Sequence, residues 1–490
     1  MGQCSSSSSS SSSHLSQLDH LPAKSEAASS SSDTLPDHPP QSAGDTTLSL
    51  LTKAKGHYWY PADGPRILDA CGGAGVACLG HGRSDIARAA AAQMKSCAYV
   101  SYAHFRTRPV QELCEWLIES TGGEMQKVYL MNSGSEAVEA ALKLAREYFV
   151  WKNEPQRVNY IGRWESYHGT TFGSLAASGH VVRRAPFEPL LAPQRFHKIS
   201  ACHAYRQRLC PEESDESFVA RKAAELEAKF AELGGHTVAA VVLEPVVGAA
   251  LGCVPAVPGY FAAVKKICDR HGALLVFDEV MCGMGRTGTG TGTTHAWQAR
   301  EVGVVPDLQT IAKGFAGGYA PASALLVGRK VAALMRQTGR TFTHGHTYQD
   351  HPVVAATALK VQRVIERDGL RANVAVQGAL LGRILKEKLG KHPNVGDVRG
   401  CGLFWGVEFV RDKTTKEPFD PALQVALRVF TRAVRVERVL VYHGQGCAGG
   451  GRGDHVMVMP AYDVSPKLVR EMVERLARAV EDVFLGADGW

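Results

Sequence analysis

From Leu51 onward, short apolar runs alternate with stretches whose apolar residues recur every three to four positions. Residues 127–131 (KVYLM) read as a strand, and apolar positions 137, 138, 141, 144, 145 and 148 form a helical stripe directly after it. Ser133 followed by Glu136 makes a capping box at that helix start. Residues 237–243 are a second buried strand. Residues 258–270 read as a helix, with proline at its start and Gly272 just past its end. The next strand, 274–277, completes a βαβ unit. Repeated units of this kind predict an α/β fold, a mostly parallel sheet with helices on both faces. Toward the C-terminus, helices over 421–434 and 466–484 mix with short strands such as 403–410, the pattern of a smaller α+β domain.

Composition narrows the class. The chain has 490 residues, 45% hydrophobic and 21% charged, so it can bury a sizeable core and is not a disordered chain or a coiled-coil rod. Its net charge of +7 is small for this length and is not gathered into a stripe, which argues against a nucleic-acid partner. Twelve cysteines include no C-x-x-C pair and none with histidine at zinc spacing. They read as reduced thiols of a cytoplasmic protein without a metal site. The most apolar stretch, 238–257, contains Glu244, Pro245 and Pro255 and is a core strand and loop, not a membrane span.

Residues 1–45 differ from the rest, with nine consecutive serines from Ser5 to Ser13, and too few large apolar side chains to offset the cost of ordering. This segment is expected to be a disordered tail. Its first residues, MGQCSS, fit the N-myristoylation pattern at Gly2, and Cys4 is placed to take a second acyl chain. A serine-rich tail also meets that pattern by chance, and this plainer reading is preferred. Membrane association is expected only if the N-terminus is acylated.

Four features carry candidate chemistry. The turn Gly134-Ser135 opens a helix, where free N–H groups and the positive dipole end suit a phosphate; most such turns only cap. Asp278 and Glu279 end an apolar strand, at the edge of a parallel sheet where ligands bind. A carboxylate there can hold a ring nitrogen protonated, or can simply cap a loop. Lys313 lies in an apolar, glycine-rich run (TIAKGFAGG), where lost solvation makes a neutral amine accessible; a lysine reaching solvent is the alternative. Tyr167-His168-Gly169 follows the strand 158–161 and supplies an aromatic face for a planar ring. Residues 283–288 (GMGRTG) fit G-x-G-x-x-G but run into a Gly-Thr series that cannot start a helix, so a dinucleotide site is rejected. The tripeptide Arg452-Gly453-Asp454 has no adhesion role in a cytoplasmic chain.

Phosphate turn, ring-nitrogen carboxylate, stacking aromatic and desolvated lysine together describe a pyridoxal-phosphate site. The chain also resembles the class III aminotransferases over residues 50–485, through SGSEA at 133–137, YHG at 167–169, EPV at 244–246, FDEV at 277–280, GMGRTG, the lysine segment and HTYQDHP at 346–352. The resemblance implies fold type I, with residues 96–347 as the large cofactor domain. The small domain is then built from both chain ends, 46–95 and 348–490. It implies a homodimer with shared active sites. By motif position, Lys313 forms the internal aldimine and Asp278 pairs with the pyridine nitrogen. Val280 packs on one ring face and Tyr167 stacks on the other, with His168 and Glu244 in the same motif set. Gly134 and Ser135 bind the phosphate, joined by Thr347 from the neighbouring subunit. The substrates implied are an amine or amino acid and a keto acid.

Arg399 matches the family position that often holds a substrate carboxylate, and Arg452 is a candidate mobile carboxylate switch, a solvated loop arginine being its plainer reading. Glycines at 72, 73 and 75 suggest an open pocket on that side, and the Gly-Thr run 288–294 is either part of the pocket rim or surface slack. A racemase, aminomutase or decarboxylase on the same fold is the alternative within the chemistry. A non-catalytic relative tethered by its tail is the alternative outside it.

Overall fold

The structure, a computed structural model, describes residues 49–290 and 292–486. The segment 1–45, with Gly2 and Cys4, lies outside the described residues. Three strands open the chain, β1 (Leu51–Lys55), β2 (Tyr58–Pro61) and β3 (Ile67–Asp69). Then come β4 (Met125–Met131), β5 (Asn159–Arg163), β6 (Phe196–Ile199), β7 (Val238–Leu243) and the two-residue strands β8 (Val246–Val247) and β9 (Val254–Pro255). They are followed by β10 (Leu274–Asp278), β11 (Leu308–Ile311) and β12 (Ser323–Gly328). The last strands are β13 (Val395–Cys401), β14 (Phe404–Phe409), β15 (Val439–Leu440), β16 (Tyr442–Gly449) and β17 (Arg452–Val458).

The central sheet has seven strands in the order β4-β12-β11-β10-β7-β5-β6. β10 runs parallel to β11 and β7, and β5 parallel to β7 and β6. β12 is antiparallel to both its neighbours, which returns β4 to the common direction. Every residue of β7 and β10 is buried, as expected of strands covered on both faces. One apolar cluster packs the helix Gly134–Trp151 on one face of this sheet, and another packs Asp215–Leu233 and Tyr260–His271 on the opposite side. Both chain ends share one smaller sheet, because β15 pairs in parallel with β3. A second small sheet has the order β13-β14-β17-β16. Among the described residues no helix is long and apolar enough to cross a membrane.

Three helix readings are refined. The capping box at Ser133 is present in both directions, with Glu136 N–H donating to Ser133 Oγ (3.2 Å) and Ser133 N–H to Glu136 Oε2 (2.7 Å). Pro258 lies before its helix, whose N-cap is Gly259 in the left-handed region (φ 88°). The stretch 421–434 is not one helix: Pro421–Leu423 is a single 3-10 turn, and Gln424 at φ 48° interrupts before Val425–Arg435 begins.

The GMGRTG motif serves packing. Arg286 is buried and donates to the carbonyls of Gly75 (3.1 Å), Leu403 (3.3 Å), Met459 (3.1 Å) and Pro460 (2.5 Å), tying both chain ends to the loop after β10. None of the described residues of the Gly-Thr run reaches the cleft below. Gly292 packs on the helix Leu370–Leu389, where a Cβ would meet the Arg371 carbonyl oxygen at 2.5 Å. Glu279 anchors the far end of that loop, accepting from Ala296 N–H (2.7 Å) and Trp297 N–H (2.9 Å). Asp454 of the Arg-Gly-Asp tripeptide is buried and accepts from Ala426 N–H (3.0 Å) and Gln445 Nε2 (3.2 Å).

Candidate active site

The parallel strands deliver their carboxyl ends to one edge, and the chain leaving each strand supplies a wall of one cleft. β4 leads to Gly134 and Ser135, β5 to Tyr167 and His168, β7 to Glu244, β10 to Asp278 and Val280, and β11 to Lys313. All of these residues line the cleft, together with Gly169, Val246, Ala249, Met281 and Cys282.

Asp278 is 3% exposed and its oxygens are divided. Oδ1 accepts from Val280 N–H (3.0 Å) and the Thr310 hydroxyl (3.2 Å), and Oδ2 faces His168 Nδ1 at 2.7 Å. That contact makes Nδ1 the proton-bearing nitrogen, and the buried Nε2 has no protein partner. Glu244 Oε1 accepts from Gly248 N–H (3.0 Å) and Oε2 from Tyr167 N–H (3.3 Å), so this carboxyl holds the aromatic residue in place. Burial pushes the Glu244 carboxyl above its ordinary range, against the pull of His168.

Lys313 sits in the left-handed region at φ 46°, a conformation that costs a non-glycine residue on the order of 1 kcal/mol. Its loop is held rigidly: Gln362 Nε2 donates to the carbonyls of Gly314 (3.1 Å) and Phe315 (2.7 Å), and Gly317 N–H to the Lys313 carbonyl (3.0 Å). Burial lowers the Lys313 amine to about 8, although Asp278 and Glu244 both act to keep it charged.

The helix start is built for an anion. The capping box occupies the N–H groups of Ser133 and Glu136, leaving those of Gly134 and Ser135, which have no intrahelical acceptor, at the cleft. Glycine is required at 134, where a Cβ would stand 2.7 Å from Val280 Cγ1. At Gly169 (φ 136°) it would stand 2.6 Å from Ser135 Oγ.

The remaining candidates lie elsewhere. Thr347 is exposed, outside the cleft of its own chain, its carbonyl accepting from the Tyr99 hydroxyl (3.0 Å). Arg399 is corrected. Its guanidinium is buried between the Gly252 carbonyl (2.9 Å), the Leu251 carbonyl, Asp397 (3.1 Å) and Glu408 (2.5 Å). One of its five N–H groups remains, where a two-pronged carboxylate grip needs two. Arg452 is exposed where β17 begins, in the turn that joins it to β16, and does not line the cleft. Gly73 leaves open space around its missing Cβ, whereas a Cβ on Gly75 would stand 3.4 Å from Met459 Sδ. Sequence reasoning passed over Thr310, Gln362 and Arg163, whose Nη2 donates to the Glu244 carbonyl at 2.7 Å. Each acts through a partner distant in the chain, so no local pattern announces it.

Fold and site together define an enzyme of fold type I. The family model described as aminotransferase class-III matches residues 41–480. A Gibberella zeae protein named aminotransferase is 45% identical, over 86% of this chain and 81% of its own. A thermostable (S)-enantioselective omega-transaminase from Thermomicrobium roseum superposes with a TM-score of 0.81 at 34% identity, covering 89% of this chain and 93% of that one. The PMP-bound form of a Vibrio fluvialis aminotransferase does so with a TM-score of 0.82 at 29% identity, over 90% and 93%. The chain belongs to the class III aminotransferases and is an enzyme of amino-group transfer.

Proposed function

We propose that this aminotransferase works with pyridoxal phosphate held by Gly134, Ser135, Tyr167, His168, Glu244, Asp278, Val280 and Lys313. It moves an amino group from an amine or amino acid to a keto acid. The observation that carries this reading is a single cleft joining the Lys313 amine, a buried carboxylate and a capped helix start. The donor set fits the group: N–H groups at a helix end for a phosphate, Asp278 for a pyridinium, and Tyr167 and Val280 as flat and branched walls. The unpartnered His168 Nε2 marks buried polarity that the protein alone leaves unsatisfied.

When bound, pyridoxal phosphate supplies an electron sink for the pair left behind when a substrate carbon loses its proton. Lys313, whose amine burial lowers to about 8, serves as the base that takes that proton and later returns one. Asp278, held in place by its contacts with His168, Val280 N–H and the Thr310 hydroxyl, would hold a proton at the ring nitrogen. Glu244 keeps Tyr167 in position by accepting from its backbone N–H.

Residues 96–347 are proposed as the cofactor domain, with 46–95 and 348–490 as the small domain. We further propose a homodimer in which the partner's Thr347 completes the phosphate site. The exposed aromatic side chains of Tyr99, Phe105 and Tyr348 on that side support it. A cytoplasmic location is proposed, with membrane attachment only if Gly2 and Cys4 are acylated; metabolic myristate labelling checks the latter.

The decisive test is the absorption spectrum of the purified protein with pyridoxal phosphate, read before and after adding amines and amino acids. A yellow band that a donor bleaches and pyruvate restores is the expected result. A band that no donor bleaches would overturn transamination in favour of a racemase or decarboxylase, and no band at all would remove the cofactor.

A further inference from the structure

One short helical turn, Val181–Arg184, carries two arginines in succession. Neighbouring helix positions point about 100° apart, and these two guanidinium groups end in different surroundings. Arg184 is buried. It donates to the carbonyls of Leu175 (2.9 Å), Ala176 (2.8 Å) and Ser178 (2.7 Å) and pairs with Glu188 (2.8 Å), so its charge is spent on holding the local chain. Arg183 is half-buried and lies over the Tyr167 ring, its Cζ 4.8 Å from the centroid. No carboxylate among the described residues forms an ion pair with it. The turn between β16 and β17 backs the same helical turn, for a Cβ on Gly451 would meet Val182 Cγ2 at 2.9 Å.

Tyr167 is a wall of the cleft, and the charge of Arg183 is close enough to act on both the Tyr167 phenol and the Lys313 amine. The other arginines are placed differently. Arg163 donates to the Glu244 carbonyl, Arg399 is enclosed by Glu408 and Asp397, and Arg452 is exposed in the β16–β17 turn. His180 beside Arg183 is lowered to about 4 by burial, and then by that guanidinium, and adds no charge at neutral pH. The inner wall carries two carboxyl groups, Asp278 and Glu244, and no arginine. Arg183 stands behind the Tyr167 wall, against that ring, and is not itself among the residues lining the cleft.

We propose that Arg183 is the carboxylate-binding, specificity-determining residue of this enzyme, gripping the carboxylate of an amino acid donor or keto acid acceptor beside Tyr167. A guanidinium can keep its face on an aromatic ring while its paired N–H groups meet a carboxylate edge-on. This rests on the aminotransferase reading and deepens it, for a donor without a carboxylate gains nothing from Arg183.

The test is a calorimetric titration of the cofactor-loaded protein with propionate and with propionamide, on the wild type, Arg183→Lys and Arg183→Met. The wild type is expected to prefer propionate. Arg183→Met loses about tenfold or more for propionate and under about twofold for propionamide, with Arg183→Lys between. An unchanged cofactor spectrum reports that Tyr167 is still in place. Equal losses for both probes would show that Arg183 only props the tyrosine, and unchanged propionate binding would refute the site; either overturns the proposal. Pyruvate turnover separates this from the underlying reading. A wild type that transaminates while Arg183→Met keeps its KM for pyruvate defeats the proposal alone. A wild type that never transaminates, yet needs Arg183 for propionate, defeats the aminotransferase mechanism and leaves the anion site standing.

Discussion

Lys313 combines two unfavourable conditions, a left-handed backbone and an amine lowered from 10.5 to about 8 by burial. Between those two values the unfolded chain holds a proton that the folded chain has released, so stability rises with pH across that window. Below pH 8 both states are protonated and the whole penalty is present. Lys313→Met removes the charge while keeping the volume. Cofactor-free Lys313→Met is therefore expected to gain up to about 3 kcal/mol over wild type at pH 7. The gain shrinks toward pH 10, measured by urea unfolding at several pH values. Activity is lost entirely, which separates the residue's chemistry from its cost to the fold. At Asp278, the carboxylate has three donors and a proposed partner on the cofactor ring. Asp278→Asn keeps the shape and loses the charge. Turnover is expected to fall by about 10²–10⁴ while cofactor still binds through the helix start, a contrast read by kinetics beside an absorption titration.

Among the elements, the loop after β10 joins parts of the chain that are far apart. Arg286 alone satisfies four carbonyls, from Gly75, Leu403, Met459 and Pro460. Arg286→Met leaves those buried acceptors unpaired and is expected to cost about 3 kcal/mol or more, seen as a lowered urea midpoint. The motif that supplies this arginine fits G-x-G-x-x-G but is excluded as a dinucleotide loop by the Gly-Thr run after it, and only the tertiary partners reveal its work. Where the physics is local, the sequence sufficed. Ser133 and Glu136 cap the helix that begins at Gly134, and the apolar run 274–277 is the strand whose end holds Asp278. Where a residue acts through a distant partner, the sequence was silent. Arg399 reads as a free carboxylate ligand until Glu408 is seen beside it, and Arg183 reads as ordinary until Tyr167 is found beneath it. Gln424 shows the same limit within one element, since its left-handed backbone divides a stretch whose apolar spacing reads as continuous.

At the scale of the whole molecule, the proposed sharing of Thr347 makes a prediction that a single chain cannot satisfy. Lys313→Ala protein is expected to be inactive, and Thr347→Ala protein to bind cofactor about tenfold more weakly. Mixing the two chains gives dimers with one doubly altered site and one site carrying neither change. One tight, lysine-bearing cofactor site per mixed dimer is the expected result. If mixing restores none, Thr347 belongs to no neighbour's site.

The position of β12 has a further consequence, for how the protein is made. β4 leads into the helix start proposed to bind phosphate yet pairs only with β12, which is the last strand of the seven to be synthesised. On the ribosome, Met125–Met131 must therefore wait nearly two hundred residues for its neighbour. Until Gly328 has emerged, the strands from β5 to β11 can assemble around Asp278 and Lys313, and the turn after β4 is held to them only by the packing of its helix and by side-chain contacts such as Thr170 N–H to Ser135 Oγ (3.0 Å), with no strand pairing. A nascent chain stalled before residue 328 is therefore expected to hold the proposed cofactor less tightly than the finished protein, measured by pyridoxal-phosphate binding to stalled chains.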